Sequence, residues 1–334
     1  MSNRYKGGII SATAPTTSTS TAKGIWTNVQ IAQAVGAGTW PRSPGAPTIG
    51  TATAVTFSTA TVTFTAPTDV GSGGVTYTAT SSPAGGSGTG TSPITVTGLS
   101  PLTSYTFTVT ASTPGGTGPS SAASNSITTT AEPAPTVIGQ AYGGGFYAGQ
   151  ISTSANGTAT HYLVIADITV GQVFGKLWGP TGYISSTSTI NGPANSATQA
   201  ALGSTYECAT FCENLNAGGY TDWYFPAKDE LEVCYYFLKP TTASNITTSG
   251  SNPYAVSPEP QSTNYSTPTP PSQSSSAAFR SGGAQALTAD TYLNSTQYSS
   301  TDSYQQTFSN GAQGPIGKDY GPYFFTRAVR RVPV

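Results

Sequence analysis

The sequence predicts a mainly β protein with a smaller α+β part. Short runs in which Val, Ile, Thr, Tyr and Phe alternate with polar residues recur along the chain, as in ATVTFTAP and SYTFTVTAS. Alternation with period two marks half-buried strands. Clusters of Gly, Pro, Ser and Asp separate the runs, among them APTDVGSGG and PAGGSGTGTSP, and such clusters are turn signals. Helical spacing of apolar residues is confined to a short segment near the start and to the stretch from Ala194 to Leu238.

Charge is scarce. The 334 residues carry 12 Lys and Arg and 13 Asp and Glu, 7% in all, where an ordinary soluble domain has about 25%. That leaves no basic field for nucleic acid and no Lys/Arg cluster for an anionic membrane. His161 is the one histidine, so a multi-histidine metal site has no material. The chain is still expected to fold, because 36% hydrophobic and 10% aromatic residues are more than a disordered segment holds. No run of 18 apolar residues occurs, so no membrane insertion is expected. Cys208, Cys212 and Cys234 are an odd count in one region, not a secreted disulfide framework. With no signal-peptide core in MSNRYKGGIISATAPTTSTS, the expectation is synthesis in a reducing cytosol, or exit by another route.

Residues 1–42 read as an attachment leader. Within GIWTNVQIAQAVGAGTWP, Thr27 is an N-cap candidate and Val29, Ile31, Ala32 and Val35 share one face of a short helix. A helix this short is marginal alone, and Trp26 and Trp40 flank it. Tyr5, Trp26, Ile31 and Trp40 are therefore the expected partner-binding residues.

Residues 43–131 read as a sandwich of short strands whose one charged residue is Asp69. The run Leu99, Pro101, Thr103, Tyr105, Phe107, Val109, Ala111 resembles the E–F corner and F strand of a fibronectin type III domain. ATVTFTAP resembles that family's B strand, with Phe64 where Trp is usual, and SSAASNSITTTAEP its G strand. The resemblance implies an immunoglobulin-like sandwich in which the Tyr105 hydroxyl bonds to nearby backbone, and a spacer role. Residues 132–140 read as an extended Pro-containing linker.

Residues 141–334 form the α+β part. THYLVIADI and QVFGKLWG read as strands, ANSATQAALGSTYECATFCENL as one helix ended by Gly218 and Gly219, and AKDELEVCYYFL as a second helix. Thr241 to Ser276 lacks any period and is far longer than ordinary loops, so it is expected to be functional, mobile or both. Three further strands close the chain, ending in YFFTRAVRRV.

The segment CENLNAGGYTDWYFPAKDELEVCYYFL resembles the C-terminal domain of collagen-like bacterial adhesins, the Lcl C-terminal family. TYLNSTQYSSTDSYQQTFSNG and TRAVRRV fit its later strands, although Phe225 replaces the usual Leu and Leu293-Asn294 a common Trp-Ser pair. The resemblance implies a C-type-lectin-like architecture. Asp222, Asp229 and Glu230 are expected as structural partners for Arg327, Arg330 and Arg331, with a catalytic carboxylate pair as the alternative. Glu259-Pro260-Gln261 has a superficial likeness to a lectin calcium loop, but too few carboxylates accompany it. The cysteines are expected to be free and buried, against the alternative of a thiol activated by His161.

What remains is a surface of tyrosines and amides, which suits stacking and neutral hydrogen bonds. The expected ligand-binding residues are Tyr292, Asn294, Gln297, Tyr298 and Tyr304, with no catalytic residue, metal or cofactor. RYKGGIISATAPTTS with GIWT and AGTWP resembles the start of virion structural proteins of marine tailed phages. Together these readings predict a non-enzymatic fibre or decoration protein exposed on a virion. It would be held by other virion proteins through the leader, bind a host-surface glycan or receptor, and form a homo-oligomer, with a trimer favoured. A bacterial surface adhesin and a glycan-active enzyme are the alternatives.

Overall fold

The structure is a computed structural model that describes residues 17–18, 21–22, 28–37, 41–261, 263–320 and 323–334. Two compact units divide the chain, Met1–Glu132 and Pro133–Val334. Tyr5, Trp26 and Trp40 lie outside the described residues. The described residues before 41 hold a two-strand pair, β1 (Thr17–Ser18) with β2 (Thr21–Ala22), and helix α1 (Asn28–Gly36). On α1, Ile31 is half-buried and Val29 is 66% exposed.

The first unit is an antiparallel sandwich. One layer holds β3 (Thr48–Ala54), β4 (Thr59–Thr65) and β7 (Ile94–Thr97). The other holds β5 (Thr76–Ser82), β8 (Ser104–Thr113), β9 (Gly116–Thr117) and β10 (Ile127–Thr128). Strand β6 (Ser87–Thr89) pairs with β5 and, at Ser87, with β7, so it joins the layers. Inward residues are those that the alternation marks: Ala60, Val62 and Phe64 on β4, and Tyr105, Phe107, Val109 and Ala111 on β8. The Tyr105 hydroxyl accepts a hydrogen bond from the Ser100 N–H at 2.9 Å, closing the expected corner.

The segment before β10 follows β8 without becoming a regular strand. Ser121 and Ser124 donate their N–H groups to the Val109 and Phe107 carbonyls, and their hydroxyls accept from the same two residues' N–H groups. Serine side chains thus replace ladder bonds that a regular strand would supply.

In the second unit, β11 (Ala141–Tyr142), β12 (Gly145–Ile151), β13 (His161–Ile165) and β19 (Val329–Pro333) form an antiparallel sheet. A second sheet runs β14 (Gln172–Phe174), β18 (Phe325–Arg327), β15 (Thr291–Gln297), β16 (Asp302–Thr307) and β17 (Gln313–Gly317). Helix α2 (Ile168–Gly171) is a single turn capped by Asp167.

The one expected helix before Gly218 is two: α3 (Gly192–Ala201) and α4 (Glu207–Glu213). Gly203 separates them at φ +108°, a conformation that breaks a helix and that side chains rarely adopt. Gly218, at φ +60°, packs so closely on Gly144 that a Cβ would lie 2.1 Å from its carbonyl oxygen. The glycine pair therefore serves a backbone crossing as well as a turn.

Helix α5 (Lys228–Leu238) is buried almost all round, with Leu231, Val233, Cys234, Tyr235 and Leu238 in the core. Glu230 Oε2 accepts from the Ala227 N–H at 2.8 Å, closing the first turn. Its other oxygen accepts from the Tyr224 hydroxyl and from Arg331 Nε at 2.7 Å. Arg330 holds Asp222 with two bonds, at 2.8 and 2.9 Å, as the sequence leads one to expect. Arg327 departs from that expectation: it bonds the Ala166 carbonyl and Gln285 instead of a carboxylate.

The 241–276 segment is ordered around two side chains. Asn245 Oδ1 accepts from Lys239 Nζ at 2.6 Å and from the Tyr235 hydroxyl at 2.9 Å. Its Nδ2 donates to the Ser266, Pro268 and Pro271 carbonyls. One amide thus satisfies several strands of loop at once, which explains how a segment without periodicity is fixed. Farther along, Tyr265 donates its hydroxyl to Glu232 Oε1, while Gln306 and Gln313 donate to Oε2.

Two measurable consequences follow. Tyr105→Phe leaves the Ser100 N–H without its acceptor and should cost the first unit about 1–3 kcal/mol in denaturant titrations. Burial pushes the Glu232 carboxyl up from 4.5 to about 7, against hydrogen bonds from Tyr265 and Gln306 that lower it. Burial and then Glu232 raise Glu259 likewise. A folded-state value above the unfolded one means that the folded chain holds the proton more tightly. The stabilisation is therefore complete below about pH 4.5 and lost as pH rises through about 7. The second unit should lose denaturant resistance from about pH 5 to 8, and Glu232→Gln should flatten that slope.

Candidate functional site

Three loops of the second unit meet at a buried lysine. They are the connection from β14 to α3, the β15–β16 turn and the connection from β17 to β18. The Gly182 N–H donates to the Ser300 carbonyl at 2.7 Å. Lys318, only 2% exposed, sends Nζ to the carbonyls of Gly182 at 2.6 Å and Ser300 at 3.2 Å. The same ammonium sits 4.8 Å from the Trp178 ring centre, a favourable cation–π position. Burial lowers the Lys318 pKa, with Asp302 opposing. Hydrogen bonds from the Ser299 and Thr301 hydroxyls shape the β15–β16 turn and hold the Asp302 carboxyl below its usual range.

Each loop carries an exposed tyrosine close to that junction in sequence. Tyr183 follows Gly182 and is 74% exposed, Tyr298 precedes Ser300 and is 55% exposed, and Tyr320 follows Lys318 and is 63% exposed. Tyr304 on β16 is half-buried and meets Tyr298 edge-on, ring centres 5.1 Å apart. Lys228 Nζ lies 5.9 Å from the Tyr304 ring centre. The arrangement offers neutral aromatic faces and phenolic hydroxyls on loops tied together at one ammonium, which suits stacking and hydrogen bonding to an uncharged surface.

This corrects the expected ligand set. Tyr298 and Tyr304 are at the surface, but Tyr292, Asn294 and Gln297 are buried, at 0%, 1% and 4% exposure. The reason is the position of β15 between β16 and β18, with α3 and α5 packed near it. Both of its faces are covered, so the usual inward–outward alternation fails. Its polar side chains are structural. Tyr292 donates to Gln172 Oε1 at 2.8 Å, and Gln297 Oε1 accepts from the Ile184 N–H at 3.0 Å. Asn294 Oδ1 accepts from Thr296 N–H at 3.1 Å, and the Asn294 carbonyl accepts from Trp178 Nε1 at 2.7 Å. Tyr183 was not singled out by sequence reasoning; the signal available was an aromatic residue directly after the turn GPTG.

The groups considered for catalysis have other occupations. Cys208, Cys212 and Cys234 are free and buried. Burial pushes the Cys208 thiol up to about 12 and raises Cys212 and Cys234 well above the usual thiol range, so none is an activated nucleophile. His161 Nδ1 faces the Thr160 hydroxyl at 2.9 Å, not a thiol. Glu259, in the loop with the superficial calcium likeness, is buried and accepts from Asn252 Nδ2 at 2.9 Å. Among the described residues, no three His, Cys, Asp or Glu side chains gather as metal ligands would. No described helix is long and apolar enough to cross a membrane.

Residues 45–127 match the fibronectin type III family, so the sandwich of the first unit is a fibronectin type III domain. A titin fragment aligns at 24% identity over 26% of this chain and 32% of its own, with a TM-score of 0.24. The chain thus spans about a third of that fragment. A fibronectin domain of Drosophila Lar aligns at 24% identity, covering 27% of this chain and 99% of its own, TM-score 0.22. A human fibronectin type III domain aligns at 20% identity over 36% of this chain and 100% of its own, TM-score 0.26. No curated protein matches the chain.

If Lys318 ties the loops, Lys318→Met should cost the second unit about 1–3 kcal/mol, since the Gly182 carbonyl loses its donor and the Ser300 carbonyl keeps only the Gly182 N–H. Amide exchange at 180–184 and 298–302 should quicken. Unchanged exchange there would show that the loops hold without it.

Proposed function

We propose that this chain is a structural and attachment protein of a phage particle. In this reading the fibronectin type III domain spaces the second unit from its anchor. The second unit touches the host surface through Tyr183, Tyr298, Tyr304 and Tyr320. The observation that carries the reading is the set of exposed tyrosines on loops fixed by one buried lysine. Rings held in place lose little entropy on binding and offer both a stacking face and a hydroxyl. The ligand is a neutral host-surface glycan or receptor patch.

The likeness of the opening residues to virion structural proteins supports the particle assignment, and the likeness of the later segments to the Lcl C-terminal family supports a lectin-like tip. Neutral contacts of this kind are individually weak, so several copies acting together are part of the proposal. A homo-oligomer, with a trimer favoured, raises avidity by roughly 10²–10⁴.

Mass spectrometry of purified particles tests the location, and cell binding by the purified protein tests the surface. Tyr183→Ala and Tyr298→Ala should each weaken cell binding by about tenfold or more without loss of fold. Binding should change little with salt, because no ion pair is central to it. Absence from particles together with tyrosine-dependent cell binding would favour a bacterial adhesin. Normal binding by both variants would remove the tyrosine surface from consideration.

A further inference from the structure

The described residues include nine Lys and Arg side chains, and eight of them have a definite partner. Arg42, Lys228, Arg330 and Arg331 pair with Asp69, Asp229, Asp222 and Glu230. Lys239, Arg280, Lys318 and Arg327 donate to carbonyls or side-chain amides. Lys176 is the exception: among the described residues its ammonium has neither a carboxylate nor a carbonyl partner. In a chain with so few cations, an unclaimed half-buried one invites an anionic ligand.

Lys176 lines an open groove of about 400 Å³ on α4, within the roughly 300–1,000 Å³ of small-molecule sites. Glu207, also on the groove, is already engaged: its Oε2 accepts from the Leu177 N–H at 3.0 Å, which fixes the loop that carries Lys176. Phe211 and Leu215 supply an apolar floor, and Asn214 and Asn216 add amides that can both donate and accept. Thr210 adds a hydroxyl that is shielded and makes no hydrogen bond. A helical threonine ordinarily bonds back to the preceding turn, as Thr198 does to the Ala194 carbonyl at 2.7 Å. Thr210 lines the groove with its bonding capacity unused.

We infer that this groove binds a saccharide bearing a carboxylate, such as a hexuronic or nonulosonic acid. The carboxylate would pair with Lys176, the ring would lie on Phe211, and the hydroxyls would meet Thr210 and the two asparagines. A single cation beside an apolar floor and several neutral polar groups matches one acid on a polyhydroxylated ring. The groove walls are a helix and a fixed loop, so an extended peptide has no strand edge to join. This site shares no residue with the tyrosine surface, so either can fail without the other.

The test is calorimetric or NMR titration of the intact protein with the methyl glycosides of glucuronic, galacturonic and N-acetylneuraminic acids. Methyl glucoside serves as the neutral twin and acetyl-diglycine as a peptide carboxylate. At least one acid should bind saturably, about ten- to a hundredfold tighter than methyl glucoside, the range expected for a charge-assisted bond. Lys176→Gln should erase that preference, Thr210→Val should weaken the acid and the neutral sugar alike, and added salt should weaken only the acid. Circular dichroism melts of both variants establish that the fold is kept. Saturable binding by none of the three acids overturns the proposal. So does an unchanged preference in a folded Lys176→Gln variant, or equal binding of acetyl-diglycine.

Discussion

Glu232 lies at the centre of the second unit with its carboxylate closed off from water, and the surrounding chain is arranged to answer it. Tyr265 comes from the long loop, Gln306 from β16 and Gln313 from β17, and all three donate to its two oxygens. A buried carboxylate is tolerated only with donors on its lone pairs, so the helix that carries it dictates where three distant segments must sit. Glu230, two residues before it along α5, does the same for Tyr224 and Arg331. These contacts give positional specificity more than net stability, because desolvation offsets much of the attraction.

The same economy of charge runs through the rest of the molecule. In the sandwich, neutral side chains complete what the strands leave open. Asn125 both accepts from the Ala52 N–H and donates to the Ala52 carbonyl, standing in for a neighbouring strand. Ser121 and Ser124 play that part beside β8. In the second unit, Asn245 and Lys239 organise a loop through carbonyl oxygens instead of apolar burial. Ser, Thr, Asn and Gln are abundant in this sequence, and the fold uses them as local substitutes for backbone pairing.

This distribution has a functional corollary. Buried acids and cations are committed to structure, which leaves the exposed chemistry mostly aromatic and neutral. Tyr183, Tyr298 and Tyr320 stand out from loops whose backbones Lys318 ties from beneath. Lys176, on the loop that packs beside α4, is the contrasting case, a cation that no described group has claimed. The two surfaces differ in the ligands that they would favour and in how salt should affect them.

Period-two alternation set the sandwich, because its strands are covered on one face only: Ala60, Val62 and Phe64 point inward and the intervening threonines do not. The Tyr105 corner was legible only through the resemblance of its run to fibronectin type III domains, and its bond to Ser100 spans just five residues. Helix α5 was readable from its spacing, and the scarcity of other charges pointed to Asp222, Asp229 and Glu230 as partners for the late arginines, but which pairs form, Arg330–Asp222 and Arg331–Glu230, was decided by the fold. The tertiary structure alone decided the break at Gly203, the fate of β15 and the position of Lys318. Asn294 and Gln297 look like surface amides in a linear reading. They are buried because β15 is covered on both faces, and the groups that cover it come from more than a hundred residues away, Trp178 and Ile184 among them. Spacing along the chain records which residues share a face. It does not record whether a distant segment will cover that face, and so burial of polar strands and the meeting of three loops at one ammonium were settled only by packing.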